Sequence, residues 1–438
     1  MTAIQTQAEH RAEAERLLPG GVGATGRINS CLGHALYVSR ADGCRIWDLD
    51  GKEYIDFNLA HGSAFLGYKH PAVRRAVEET LELGVLAGYE TAGQAELARR
   101  IAAIVPCAEM VRYGNTGSEG TLICTRLARA HTGRNKTLKF WGHFHGLHEF
   151  VMYNAHEPSH PVEPGSLIRP EAESAGVPAV MDELIVVIPW KDPAALDRAL
   201  AEHGEDIAGI IMEPINYNQG CIVADTEYMQ LVRDRATANG SVLIYDETLS
   251  AFRTGPGCAQ EYYGVTPDLC VLGKAVANGG AVVVVAGKEE VMRAAGPGGG
   301  VAQSGTYTGN PMAINVTIAT VDELTKPGFY DHINAVADRM HVGLQEILDR
   351  AKVPAHVQGL AGRFGIHFGT TERVEHYGDT LGRDVELRGR FVRAAAEKGV
   401  YFHDYGELVI GHHGVSAAHT MEDVEEALDR VESGVKGM

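Results

Sequence analysis

Cysteine is scarce and forms no pattern: the 438-residue chain has seven, scattered, with no Cys-x-x-Cys pair. That argues against a disulfide framework or a zinc ribbon, and it suits a reducing cytoplasm. Long hydrophobic runs are missing too. A run such as "AVVVVAG" (281–287) falls far short of the roughly 20 residues a membrane helix needs. The opening "MTAIQTQAEHRAEAERLL" is charged and lacks an apolar core followed by a cleavage site, so no secretory signal is expected. Basic residues are in the minority, 39 Lys and Arg against 57 Asp and Glu, for a formal charge of −18. Nucleic acid and anionic membranes both require a basic footprint, so neither is an expected partner. What is present, at 45% hydrophobic residues, is enough to bury a sizeable core in two domains or one lobed unit.

An amphipathic helix is expected over about 5–18. The segment "ALYVSRADGCRIWDLDGKEYIDF" then carries two Asp-Gly pairs and reads as hairpins. In "HPAVRRAVEETLELG", Pro71 starts a helix and Gly84 stops it, with Val73, Ala76, Val77 and Leu81 as its apolar residues. From residue 109, seven continuously apolar runs alternate with helical stretches: "AEMVRYGN", "KTLKFWG", "ELIVVIP", "IAGIIMEP", "SVLIYDE", "LCVLGK" and "AVVVVAG". Such runs suit strands buried on both faces of a mainly parallel sheet, which makes the fold α/β. The "KPG" at 326–328 breaks the alternation. Beyond it an amphipathic helix, a few strands and a helix capped by Thr420 and Asp423 are expected. The expected division is an N-terminal segment 1–55, a large domain 56–325 and a small α+β domain 326–438 that packs with the N-terminal hairpins. Residues 154–182 carry five prolines and little periodicity, the mark of a functional or mobile loop.

Five strands end in unusual polar residues: "VRYGNTGSEGT", "KFWGHFHG", "MEP", "YDE" and "LGK". Ligands of open parallel sheets bind beyond such carboxyl ends. The "GNTGSEG" turn (114–120) runs into a helix whose free N–H groups favour a phosphate. Its glycines are mis-spaced for a dinucleotide fingerprint. "VLGKA" is not a phosphate loop either, because Asp268 stands where glycine is needed and Ala275 replaces the hydroxyl residue. A buried Lys274 can instead have its pKa lowered, leaving a neutral amine as a nucleophile toward an aldehyde. Asp246, ending a buried strand, needs a cationic partner. A protonated pyridine nitrogen would serve, and so would an Asp246–Lys274 salt bridge. His143, His145 and His148 invite a metal reading, but no carboxylate or cysteine there completes a recognisable spacing. Phe144 between them suits an aromatic stacking platform.

Taken together and in this order, these motifs resemble the class III, fold type I aminotransferases that use pyridoxal phosphate, over about residues 15–435. The branch is that of glutamate-1-semialdehyde aminomutase and D-phenylglycine aminotransferase. The resemblance rests on "PGGVGATGR", "RIWDLDGKEYIDF", "VRYGNTGSEGT", "YDETLSAFR", "VLGKAVANGG", "SGTYTGNP" and "GVSAAHT". It implies that Lys274 forms the Schiff base, Asp246 partners the pyridinium and Phe144 stacks on the ring. Gly117 and Ser118 would form the phosphate cup, with Asn218 and Glu213 beside the ring. Thr306 would reach the phosphate of a neighbouring subunit, which implies a homodimer with shared active sites. Arg27 aligns with an arginine that binds the substrate carboxylate, a task its planar fork suits. His61 stands where the aminomutase has tryptophan, and "IGHHGVSAAHT" lacks that enzyme's glutamate.

These departures favour amino transfer between a carboxylate-bearing amino acid and a 2-keto acid in two half-reactions. The resemblance at His61 points to a donor with an aromatic or bulky side chain, with the D and L configurations both open. An aminomutase or epimerase is the alternative.

Overall fold

Seven apolar runs become one sheet because their β-branched and aliphatic side chains can be buried on both faces. The computed structural model describes residues 6–84, 86–156, 159–406 and 410–438. Numbered along the chain, the sheet strands are β1 (Met110–Gly114), β2 (Lys136–Phe140), β3 (Ile185–Ile188), β4 (Ile207–Met212), β5 (Val242–Glu247), β6 (Leu269–Leu272) and β7 (Val283–Gly287). Their spatial order is β1-β7-β6-β5-β4-β2-β3. All neighbours are parallel except those of β7, which runs antiparallel to both β6 and β1. The carboxyl ends of β1, β2, β4, β5 and β6 therefore share one edge. The end of β7 lies at the opposite edge, which explains why that strand carries no polar terminus toward the site; β3, at the sheet's far edge, ends in Ile188 and Pro189 and carries none either.

Side chains alternate across the sheet. Ile211, Ile244, Val271 and Val285 pack on one face against Ile123, Cys124 and Leu127 of the helix Gly117–Thr132. Ile210, Leu243, Cys270 and Val284 face the larger core on the other side. Burying a Leu- or Ile-sized side chain contributes about 1.5–3 kcal/mol, so this double layer fixes the strand ends firmly in space.

The remaining elements follow the expected order. The first helix is Gln7–Leu17, capped by Thr6 with Glu9; residue 5 lies outside the described residues. Both Asp-Gly pairs turn antiparallel hairpins, Val38–Asp42 with Arg45–Asp48 and the latter with Glu53–Asp56. Gly43 and Gly51 take φ of +55° and +83° there, a region glycine enters without steric cost. Residues 53–56 then pair in parallel with Val400–Tyr401, joining the two ends of the chain. After Gly328 come the helix Phe329–Arg350, the antiparallel strands Ala355–Leu360 and Arg363–Phe368, and the capped helix Met421–Val435.

The helix Pro71–Leu83 forms as expected, but its buried stripe is Ala72, Ala76 and Thr80 rather than a stripe including Leu81. Leu81 is 58% exposed. In the loop after β2, Tyr153 and Ile168 pack with Ile185 and Val187 of β3, while residues 157–158 lie outside the described residues.

Candidate active site

The five polar strand ends meet at one cavity of about 300 Å³. Lys274, Asp246, Gly117, Ser118, Phe144, Asn218 and Glu213 all line it. Thr306, Arg27 and His61 do not. Thr306 is exposed, and two residues on, Thr308 accepts from Asn115, which lines the cavity, at 3.4 Å.

Lys274 follows β6 and has φ +45°, a left-handed conformation costing on the order of 1 kcal/mol in a residue with a Cβ. Gly273 before it leaves no room for a side chain, since a Cβ there would lie 2.9 Å from Thr248. The Lys274 amine is pushed down to about 8: burial is the main cause, Arg363 and Arg253 add to it, and Asp246 and Glu213 oppose it. At a pKa of about 8, about a tenth of the amine is uncharged at pH 7 and about half at pH 8, far more than for an exposed lysine.

Asp246, at the end of β5, is buried. Its Oδ2 pairs with His145 Nδ1 at 2.9 Å and its Oδ1 accepts from the Thr248 N–H at 3.0 Å. Burial pushes this carboxyl up, but His145 and Thr248 outweigh it and hold it below its usual range. Burial also keeps the His145 ring neutral, so its Nδ1–H is the donor. Among the described residues no ion pair joins Asp246 to Lys274, and the salt-bridge alternative gives way to the His145 pair.

Each histidine of the cluster is engaged. His143 Nδ1 accepts from the Glu213 N–H at 3.0 Å, and His148 Nε2 meets Thr121 Oγ1 at 3.1 Å. Glu213 acts as a bracket: its Oε1 accepts from the Phe144 N–H and its Oε2 from Asn218 Nδ2, both at 2.8 Å. Burial pushes Glu213 up to about 8 against the pull of those two bonds. Lys139 on β2, fully buried, donates to the carbonyls of His143 (3.0 Å) and Tyr153, holding the loop that presents Phe144.

A cationic, ringed cluster lies within electrostatic reach of Lys274, outside the residues that line this cavity. His61 is carried on Leu59–Gly62, where Leu59, Ala60 and His61 all have positive φ. Asp56 accepts from the N–H groups of Asn58 and Leu59, and buried Arg253 donates to the Gly62 carbonyl, so the surroundings hold this strained turn. His61 Nδ1 lies 2.6 Å from Tyr405 Oη. Burial, then His403, Lys274, Arg27 and Arg363, push His61 down to about 3. Fully buried Arg363 donates to His412, whose ring stacks on Tyr405.

This donor set fits pyridoxal phosphate. The N–H groups of Gly117 and Ser118 have no intrahelical partner and sit at the positive end of a 16-residue helix, where a phosphate is stabilised. The ionised Asp246 suits a protonated ring nitrogen, Phe144 offers a ring face, and the Lys274 amine can reach an aldehyde.

The sequence did not mark His145 as the partner of Asp246, although its position beside Phe144 at the end of β2 was a usable signal. Lys139 gave the weaker signal of a charge inside an apolar strand. Nothing in the linear sequence placed Tyr405, His403 or Arg363 beside His61.

The fold is α/β of the fold type I pyridoxal-phosphate class, with a mainly parallel seven-stranded sheet and a smaller α+β part. Residues 30–433 match the family model for aminotransferase class-III, and the chain belongs to that family; its cofactor is pyridoxal phosphate. It is 36% identical over 426 residues to glutamate-1-semialdehyde 2,1-aminomutase of Methanothermobacter thermautotrophicus, covering 97% of each chain. It is similar to the crystal structure of an omega-transaminase from Sphaerobacter thermophilus, at 28% identity and TM-score 0.91 over 98% of this chain and 97% of that one. A transaminase solved with the cofactor bound matches at 25% identity and TM-score 0.87, over 98% and 97%.

Proposed function

We propose that the chain is an aminotransferase moving an amino group from a carboxylate-bearing amino acid to a 2-keto acid in two half-reactions. The observation that supports this most is the meeting of Lys274, Asp246 and the Gly117–Ser118 helix start at one cavity. Bound pyridoxal phosphate supplies an aldehyde and an electron-withdrawing ring. Gly117 and Ser118 hold its phosphate, and Phe144 packs on its ring. Asp246, kept ionised by His145 and Thr248, holds the ring nitrogen protonated. Asn218, bracketed by Glu213, lies beside the ring. The Lys274 amine, about half uncharged near pH 8, removes and returns the proton at the substrate's amino-bearing carbon. Arg27 takes the substrate carboxylate, and His61 with Tyr405 faces its side chain, a wall suited to a bulky aromatic donor.

The working unit is a homodimer. Leu81, Leu83, Tyr89 and Tyr307 are large, apolar and at least half exposed, and an apolar hollow lined by Leu81, Tyr307 and Met312 adjoins the cavity at Asn115. A patch of this kind is covered in assemblies. Exposed Thr306 beside it would reach the neighbouring site. The N-terminal segment 1–55 and residues 326–438 form a small domain around the large domain 56–325, joined by the pairing of residues 53–56 with 400–401. Seven free thiols, six of them buried, suit the cytoplasm.

The test is a panel of D-, L- and β-amino acids against 2-oxoglutarate and pyruvate, with the cofactor spectrum followed in each half-reaction. The 36% relative is named an aminomutase, so isomerisation within one molecule is the second reading. Sustained turnover of an amino substrate with no acceptor would decide for it.

A further inference from the structure

Arg27, the residue proposed for the substrate carboxylate, sits in a short turn, Thr25–Arg27, at the exposed end of a glycine-rich segment. Such a segment does not hold a guanidinium in place by itself, since each glycine adds backbone freedom. The segment is fastened instead to residues 401–404, nearly the whole chain away. Asn29 Nδ2 donates to the Phe402 carbonyl and the Ser30 N–H to the Asp404 carbonyl, both at 2.9 Å. The bond nearest Arg27 is made by a side chain: His403 Nε2 lies 2.9 Å from the carbonyl of Gly26.

The protonation of this imidazole follows from its partners. A carbonyl only accepts, so Nε2 carries the hydrogen. Burial pushes the ring down to about 4, so it is neutral near pH 7 and Nδ1 is bare. Nδ1 accepts from the Tyr401 hydroxyl at 2.9 Å. With both nitrogens satisfied and only 2% of the residue exposed, the ring has one orientation. That orientation also sets the substrate wall. His403 meets His61 edge to face at 5.0 Å and Tyr405 at 4.5 Å, and Tyr405 in turn is bonded to His61.

We propose that His403 is a positioning residue for substrate recognition: its bond to the Gly26 carbonyl places Arg27, and its ring contacts place His61 and Tyr405. The inference rests on the reading of Arg27 as the carboxylate-binding residue. His403 touches no reacting atom. It makes recognition of the carboxylate depend on the C-terminal part of the chain.

The test compares the best amino-acid donor of the panel with the amine made by removing its carboxylate, phenylglycine with benzylamine or alanine with ethylamine. His403→Phe keeps a ring and loses the bond to Gly26, whereas His403→Gln keeps an N–H donor of similar reach. In the cofactor-loaded protein, His403→Phe is expected to raise half-saturation for the amino acid about 10-fold while the amine changes less than about 2-fold. His403→Gln is expected to restore the amino acid to within about 3-fold. A parallel loss for both donors, or no loss for either, overturns the proposal. If His403→Phe does not fold, His403→Asn, too short to reach Gly26, is read against His403→Gln with the same expectations.

A calorimetric arm measures binding of phenylacetate, which has a carboxylate and no amine, with about 10-fold weakening expected in His403→Phe and recovery in His403→Gln. Unchanged phenylacetate binding overturns the proposal. If no donor converts the cofactor in the parent protein, transamination fails as a reading, and the phenylacetate arm still decides the role of His403.

Discussion

The lining of the cavity and the cluster beyond it, the two walls about Lys274, differ in charge and in how the chain builds them. One wall carries Asp246 and Glu213 at the ends of β5 and β4, adjacent strands of a single sheet. The other carries Arg27, Arg363 and a set of neutral rings, His61, His403, Tyr405 and His412, drawn from four separate parts of the chain. Lys274 lies between them and feels both: the carboxylates raise its pKa, while the guanidiniums and burial lower it to about 8. The acidic wall suits a cofactor whose ring nitrogen must stay protonated. The cationic wall suits an anionic substrate group. Opposite charge on the two sides of Lys274 thus offers a cofactor and an anionic group separate places.

Mutations that separate the walls range from the largest effect to the smallest. Lys274→Ala removes the group both walls tune, and turnover is expected to fall by about 10³-fold or more with loss of the cofactor's near-visible band. Steady-state kinetics and absorbance check this together. Asp246→Asn acts on the acidic wall alone. A fall in kcat of about 10²-fold or more is expected, with half-saturation for the donor little changed. Arg27→Leu acts on the cationic wall alone and reverses that pattern. Half-saturation for carboxylate donors should rise about 10- to 100-fold, the worth of hydrogen bonds to a charged group, with kcat nearly intact. If both variants changed the same kinetic constant, the division into two walls would be wrong.

Glu213 gives the smallest and subtlest effect, read as stability against pH. Its folded pKa of about 8 lies above its ordinary value of 4.5. Between those values the unfolded chain is ionised while the folded one keeps its proton. The stability that this proton confers is therefore fully present below about 4.5 and is lost as pH rises toward 8. Each pH unit in that window costs up to about 1.4 kcal/mol. Thermal melting of the cofactor-free protein at pH 5, 6.5 and 8 should fall with pH, and Glu213→Gln should flatten that fall. Equal slopes in both proteins would count against a protonated Glu213.

The acidic wall was legible in the sequence because its residues are local to strand ends, where a polar residue after an apolar run stands out. Asp246 after "SVLIY" and Lys274 after "LCVLG" could be placed from the run alone. The antiparallel direction of β7 was not legible, since an apolar run has no sign of direction. Leu81 fitted a helical stripe yet turned outward. Periodicity reports that a residue is apolar, and it does not distinguish a face against the core from one left exposed. His145 was visible only as one of three nearby histidines. Which ring reached Asp246 depended on the path of the loop, held by Lys139 and Glu213.

By itself the sequence determined the α/β class, the seven strands and the polar strand ends that line the cavity, because alternation, strand length and polar endings are properties of neighbours along the chain. The tertiary structure alone decided that Asp246 pairs with His145, that Lys274 lies between opposite charges, and that His403 reaches back to Gly26. Those facts depend on distances between residues tens to hundreds of positions apart. Such distances are set by how the layers pack, and no local pattern encodes them.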